Sequence, residues 1–146
     1  MIEAYSDHVH LGEDQRSVVI LDQTELPNRT VYRTLRTREE MYEAIRLLQI
    51  RGAPAIGICA GYCIYVLSRQ WEGADYDTFL EQFRREKAYL NSSRPTAVNL
   101  SWALERMEKV VTADPGRDVP EILERLGKEC RAIHREDIAM CLAISE

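Results

Sequence analysis

The sequence of 146 residues is short of several things, and each shortage removes a class of function. It has no excess of positive charge: nineteen Lys and Arg stand against twenty-four Asp and Glu, a formal net charge of −5. Nucleic-acid binders draw much of their affinity from neutralising phosphates, so this balance speaks against one. It has no apolar run long enough to span a bilayer. The longest, Ala53 to Leu67, is fifteen residues and contains two glycines, where about 20 apolar residues are needed. It has no C-x-x-C pair, which speaks against a structural zinc site. No G-x-G-x-x-G, no Walker loop and no G-x-S-x-G is present, and no Cys–His arrangement points to a nucleophile. There is no secretory leader at Met1–Tyr5. The four cysteines, Cys59, Cys63, Cys130 and Cys141, therefore read as reduced thiols, and the expected location is cytoplasmic.

What is present is an ordinary globular composition, 45% hydrophobic and 29% charged, in a length that suits one domain. Val18-Val19-Ile20-Leu21 and Thr30–Leu35 read as two strands joined by a turn at Pro27-Asn28. The remainder reads as five helices. Thr37 with Glu40 forms a capping box, after which Met41, Ile45 and Leu48 share one face. Arg51-Gly52 ends that helix and Pro54 starts the next, running to about Gln70. After a break at Gly73-Ala74-Asp75, Phe79, Phe83 and Leu90 mark a third. Pro95 opens a fourth, with Val98, Trp102, Leu104 and Met107 as expected core. Asp118, Pro120 and Glu121 begin the last, which buries Ile122, Leu126, Cys130 and Ile133. The fold class is α+β: a small antiparallel sheet followed by a helical bundle. Its parts are a leader and hairpin region over 1–36, a bundle over 37–116 and a long helix over 117–146. The pattern is still helical at Ile144-Ser145-Glu146, so further sequence is expected beyond it.

Two junctions carry the chemistry. Arg51-Gly52-Ala53-Pro54 and Ser93-Arg94-Pro95-Thr96 each place an arginine just before a helix start. A helix start offers unpaired N–H groups and the positive end of the macrodipole. Gly52 admits close approach to the backbone, and arginine adds fork-shaped donors suited to phosphate. The plain alternative is an arginine beside an ordinary cap. If the two helices converge, the sum is a phosphate pocket.

Ala53, Ala55, Gly57, Ala60 and Gly61 make one side of the second helix small, for close helix packing or for a ligand. Cys59 and Cys63 read as buried, unreactive thiols. His8-Val9-His10 lies in a loose leader and is weak as a metal site. His134-Arg135-Glu136-Asp137 reads as a wet helix face. Tyr62, Tyr65, Trp71 and Trp102 read as core or helix–helix contacts.

The order of three segments resembles a known family. Val19-Ile20-Leu21-Asp22-Gln23-Thr24 with Leu26-Pro27, then Ile50–Gly57, then Ser93–Leu100 with Trp102-Ala103-Leu104 and Met107, closely resemble landmarks of the methylthioribose-1-phosphate isomerases. That family is related to the regulatory subunits of translation initiation factor 2B and to ribose-1,5-bisphosphate isomerase. The resemblance implies that Arg51, Gly52, Ala53 and Arg94 bind a sugar phosphate, and that the reaction is an aldose–ketose isomerisation needing neither cofactor nor metal. It also implies that the catalytic cysteine and aspartate sit in a C-terminal Rossmann-like half. The cysteine's Thr-His-Cys-Asn setting is absent here and Cys141 does not match it, so no catalytic residue is assigned. The expectation is an N-terminal lobe without the Rossmann-like domain, inactive alone. Its partner is a small sugar phosphate rather than nucleic acid or membrane, with self-association or pairing to a separate C-terminal domain open. A non-catalytic regulator, a ribose-1,5-bisphosphate isomerase and a purely structural helical domain are the competing readings.

Overall fold

The computed structural model describes residues 9–25, 27–47 and 53–145, with residues 53, 54 and 137–145 described by backbone alone. Three strands, β1 (Val9–Leu11), β2 (Val18–Leu21) and β3 (Tyr32–Leu35), form an antiparallel sheet in that order. Val18 pairs with Leu11 on one side and Leu35 on the other, while Ile20 pairs with Val9 and Arg33. Period-two alternation puts Val9, Val18, Ile20 and Leu35 on the buried face. The hairpin β2–β3 is the one the sequence predicts. The third strand is not: Val9 and His10, expected in a loose leader, are paired in β1. A run of three residues is too short for its alternation to register as a strand, and its pairing with β2 supplies what local pattern does not. His8 lies outside the described residues.

Five helices follow: α1 (Arg38–Arg46), α2 (Ala53–Ser68), α3 (Tyr76–Asn91), α4 (Val98–Thr112) and α5 (Val119–Ser145). The predicted capping box closes α1, with Glu40 N–H donating to Thr37 Oγ1 at 3.1 Å and Thr37 N–H to Glu40 Oε1 at 3.1 Å. Met41 and Ile45 are buried as expected; Leu48 lies outside the described residues. Asp75 caps α3 by accepting from Thr78 N–H at 2.8 Å, and Phe79, Phe83 and Leu90 are fully buried. Ile122, Leu126, Cys130 and Ile133 are buried along α5. Among the described residues no helix is long and apolar enough to cross a membrane.

Helix α2 is the hub. From Ile56 to Ser68 every residue is buried, the pattern of a helix enclosed on all sides. Its glycines set the approach of its neighbours. A Cβ on Gly57 would lie 3.4 Å from the Asn99 carbonyl oxygen and 3.9 Å from Ala103 Cβ of α4. One on Gly61 would lie 3.3 Å from Ile133 of α5. At Gly57 and Gly61 the small side of α2 is thus taken up by close helix packing.

The fourth helix corrects one expectation. Leu104 and Met107 are core, but Val98 is 78% and Trp102 50% exposed. The buried stripe runs through Leu100, Ala103, Leu104, Met107 and Val111. At about 100° per residue, Val98 and Trp102 fall on the opposite side of the helix. Arg106 covers part of the indole, its guanidinium carbon 5.4 Å from the ring centroid.

The sheet is locked by Asp22, whose side chain is fully buried. It accepts from Thr24 N–H at 2.9 Å and from the Thr24 hydroxyl, and it pairs with Arg33 of β3. Burial opposes the charge, but the bonds from Thr24 and Arg33 outweigh it and hold the carboxyl below its usual range. A lowered folded-state pKa contributes stability that is complete above the unfolded value of about 3.9 and lost as pH falls through the folded one. The acid limb of a stability–pH curve, from urea midpoints between neutral pH and about pH 3, should therefore be shallower in Asp22→Asn than in the parent. The variant should also be less stable at neutral pH.

Candidate anion site at two helix starts

The turn from α3 into α4 is fixed by backbone bonds. Ser93 is buried, its N–H and hydroxyl both donating to the Leu90 carbonyl at 3.1 and 2.6 Å. Ala97 N–H then donates to the Arg94 carbonyl at 3.0 Å. This holds Arg94, Pro95 and Thr96 in a tight loop at the mouth of α4. The N-cap position is Ala97, which has no side chain able to bond the first-turn N–H groups. Helices α1 and α3 are closed by Thr37 and Asp75, so α4 differs in keeping open donors at its positive end.

Beside this open start lies Arg94. It is half-buried, and its side chain makes no hydrogen bond or ion pair among the described residues. A guanidinium with neither carboxylate nor carbonyl partner, next to uncapped N–H groups, has the donors of an anion site.

The second junction converges on the first. Gly57 is one turn into α2 and meets Asn99, in the first turn of α4. The two helices therefore begin side by side, the condition under which the sequence expects a phosphate pocket. Ala53 is the first residue of α2. Arg51 and Gly52, the other predicted ligand-binding residues, lie outside the described residues. Asn99 was not singled out by sequence reasoning, although it lies inside the third motif; only its contact with Gly57 marks it.

Other polar groups serve other ends. Cys59 and Cys63 are fully buried, with their sulfurs 3.6 Å apart. The thiol–thiol contact with Cys59, together with burial, pushes the Cys63 thiol well up. Burial pushes Cys130 up to about 12. Neither is a thiolate near neutrality, in keeping with the expectation of inert thiols. Cys141 lies outside the residues with described side chains. His134 departs from the expected wet face: its Nδ1 lies 2.7 Å from the Tyr62 hydroxyl, tying α5 to α2. Tyr62 and Tyr65 are buried contacts as expected. A cavity of about 550 Å³ between the starts of α3 and α5 has Asp75, Asp118, Glu121 and Glu124 on its wall against Arg117, itself paired with Asp114 and Glu121, so its lining is net acidic and disfavours phosphate.

Residues 49–146, more than half of the chain, match the initiation factor 2 subunit family. The chain belongs to that family. This initiation factor 2 family chain is 50% identical over 138 residues to a methylthioribose-1-phosphate isomerase of Parabacteroides distasonis, covering 94% of this chain and 41% of the relative. It is 42% identical over 134 residues to a 5-deoxyribose 1-phosphate isomerase of Clostridium botulinum, covering 92% and 38%. The chain spans about two fifths of the length of the curated relatives it matches. Among solved structures, the 5-methylthioribose 1-phosphate isomerase of Pyrococcus horikoshii superposes with a TM-score of 0.83 at 32% identity, covering 88% of this chain and 36% of that one. The delta subunit of translation initiation factor eIF-2B from A. fulgidus gives 0.80 at 32% identity, covering 90% and 37%. The sheet-then-bundle architecture expected from the motifs is thus that of the family.

The packing at Gly57 yields a direct test. Gly57→Ala adds a Cβ at ordinary contact distance and a better helix former, so its urea midpoint should stay within about 1 kcal/mol of the parent. Gly57→Leu must push α4 away and should cost about 1–3 kcal/mol or more.

Proposed function

We propose that this chain forms the sugar-phosphate-binding lobe of an aldose–ketose isomerase site, with Arg51, Gly52, Ala53 and Arg94 as ligand-binding residues. The observation that carries the reading is Arg94, without a partner among the described residues, beside the uncapped start of α4, which packs against the start of α2. The substrate class comes from the relatives. One is named for 5-methylthioribose 1-phosphate and another for 5-deoxyribose 1-phosphate. Both are pentoses with a phosphate on C1 and no charged group on C5. That supports one anion site at C1 and weighs against a bisphosphate, which needs a second basic group.

The reaction moves hydrogen from C2 to C1, oxidising the C2 alcohol to a ketone while C1 is reduced. It is balanced within one molecule and calls for no external oxidant. The C1 phosphate blocks ordinary ring opening, so an acid and a base must act in a water-poor pocket. In this proposal the chain's own residues bind and orient: Arg94 forks onto phosphate oxygens, and the first-turn N–H groups of α4 and α2 complete the cradle. No residue of this chain is assigned the acid or base, so the 146-residue protein binds substrate without turning it over.

The eIF-2B delta structure, at the same identity as the isomerase structure, favours one second reading: a non-catalytic regulatory lobe. A phosphorus NMR titration separates the two. The isomerase reading expects saturable broadening of the 5-methylthioribose 1-phosphate signal, at least tenfold weaker binding in Arg94→Gln, and no ketose phosphate over hours. Binding indifferent to Arg94→Gln would remove Arg94 from the site. Preference for a nucleotide would favour the regulator.

A further inference from the structure

We propose that a cleft at the far end of α2 is a second anion site, for a small phosphate-bearing molecule, held by Arg69 and Arg131. The cleft, about 350 Å³, lies between the β1–β2 turn, the end of α2 and the middle of α5; Gln15, Tyr65, Arg69, Lys128 and Arg131 line it. It is distinct from the Arg94 site. Helix α2 spans sixteen residues, which puts its two ends about 22 Å apart.

The cations here are short of partners. Arg69 donates through Nη1 to the Tyr65 hydroxyl at 3.1 Å, and Tyr65 donates to Gln15 Oε1 at 3.0 Å. Arg131 donates to the same Gln15 oxygen at 3.2 Å. Two guanidiniums are thus joined through one neutral amide oxygen. The carboxylates on the wall are Glu72 and Glu124. Glu124 lies 3.8 Å from Lys128, and neither acid reaches ion-pair distance of Arg69 or Arg131.

Two further observations bear on the cluster. Arg69 lines the cleft, and its Nε is buried with no hydrogen-bond partner among the described residues, so the protein leaves this guanidinium incompletely satisfied. Gly127 of α5 is buried behind the Tyr65 and Arg131 side chains. A Cβ there would lie 3.0 Å from Arg131 Nη1 and 3.1 Å from the Tyr65 hydroxyl, so the glycine is what lets these groups meet. Gln15 takes the left-handed region at φ 57° within the β1–β2 turn, its N–H donating to the Gly12 carbonyl at 3.0 Å, and from there its amide oxygen reaches Tyr65 and Arg131. In a chain of net charge −5, such a cluster is not explained by a generally basic surface. The volume suits a phosphorylated small molecule rather than a macromolecule.

The test follows the arginine side-chain N–H signals in heteronuclear NMR while inorganic phosphate is added at constant ionic strength, with malonate as a second probe. The expected result is saturable movement of the Arg69 Nε–H signal by phosphate. Binding should be at least tenfold weaker in Arg131→Gln and unchanged in Arg94→Gln. Gln15→Glu, which places a carboxylate between the two guanidiniums, should abolish the response and raise the melting temperature. A non-saturating Arg69 signal, equal titration in Arg131→Gln, or a phosphate response surviving in Gln15→Glu would overturn the site. Tighter binding of malonate would overturn the phosphate class. Because Arg94→Gln is carried in parallel, failure here is distinguishable from failure of the isomerase reading.

Discussion

The close approach that Gly57 allows between α2 and α4 is the constraint on which the rest of the molecule depends. Helix α2 is apolar around its whole circumference and must be enclosed. Enclosing it with large side chains at every point would push its neighbours toward the wide end of the about 8–10 Å range of helix separations. Gly57 and Gly61 let α4 and α5 lie against the backbone instead. The first contact brings two helix starts together, with that of α4 lacking a side-chain cap; the second seats α5 along the hub. Packing and the candidate site are therefore one arrangement. A change that loosens the helix pair should also spread the donors.

The charge pattern shows the same economy. Around the bundle, carboxylates meet the cations that tie neighbouring elements: Glu86 with Arg38, Glu105 and Glu108 with Lys87, and Glu129 and Glu136 with Arg106. Fully exposed arginines such as Arg16 and Arg135 need no partner because water serves them. The half-buried ones that lack a carboxylate among the described residues are Arg69, Arg94 and Arg131. They fall at the two ends of α2. A half-buried guanidinium without an acid is costly unless something anionic visits, and that cost distinguishes these positions from a solvated surface.

Much of this was legible in the residues. The hairpin, the Thr37–Glu40 cap and the apolar stripes of α3 and α5 come from local rules that tertiary structure did not overturn. The place of Arg94, in a turn just before a helix start, was legible because Ser-Arg-Pro-Thr puts the two together. Trp102 and Val98 misled because large apolar residues near a helix start suggest core. Only the phase of Leu100, Ala103, Leu104, Met107 and Val111 shows that the buried face is elsewhere. Strand β1 was missed because three residues carry no usable alternation. The Gln15–Arg69–Arg131 cluster was invisible, since its members are far apart in sequence and meet only through the fold. The Tyr62–His134 bond was hidden for the same reason.

Whether the starts of α2 and α4 act as one anion cradle, as proposed, is tested most directly by a backbone amide NMR titration with 5-methylthioribose 1-phosphate, following Ala53 and Ala55 in α2 and Val98, Asn99 and Leu100 in α4. Both sets are expected to move together and saturate at one shared dissociation constant. Movement of one set alone, or of neither, would contradict the proposal.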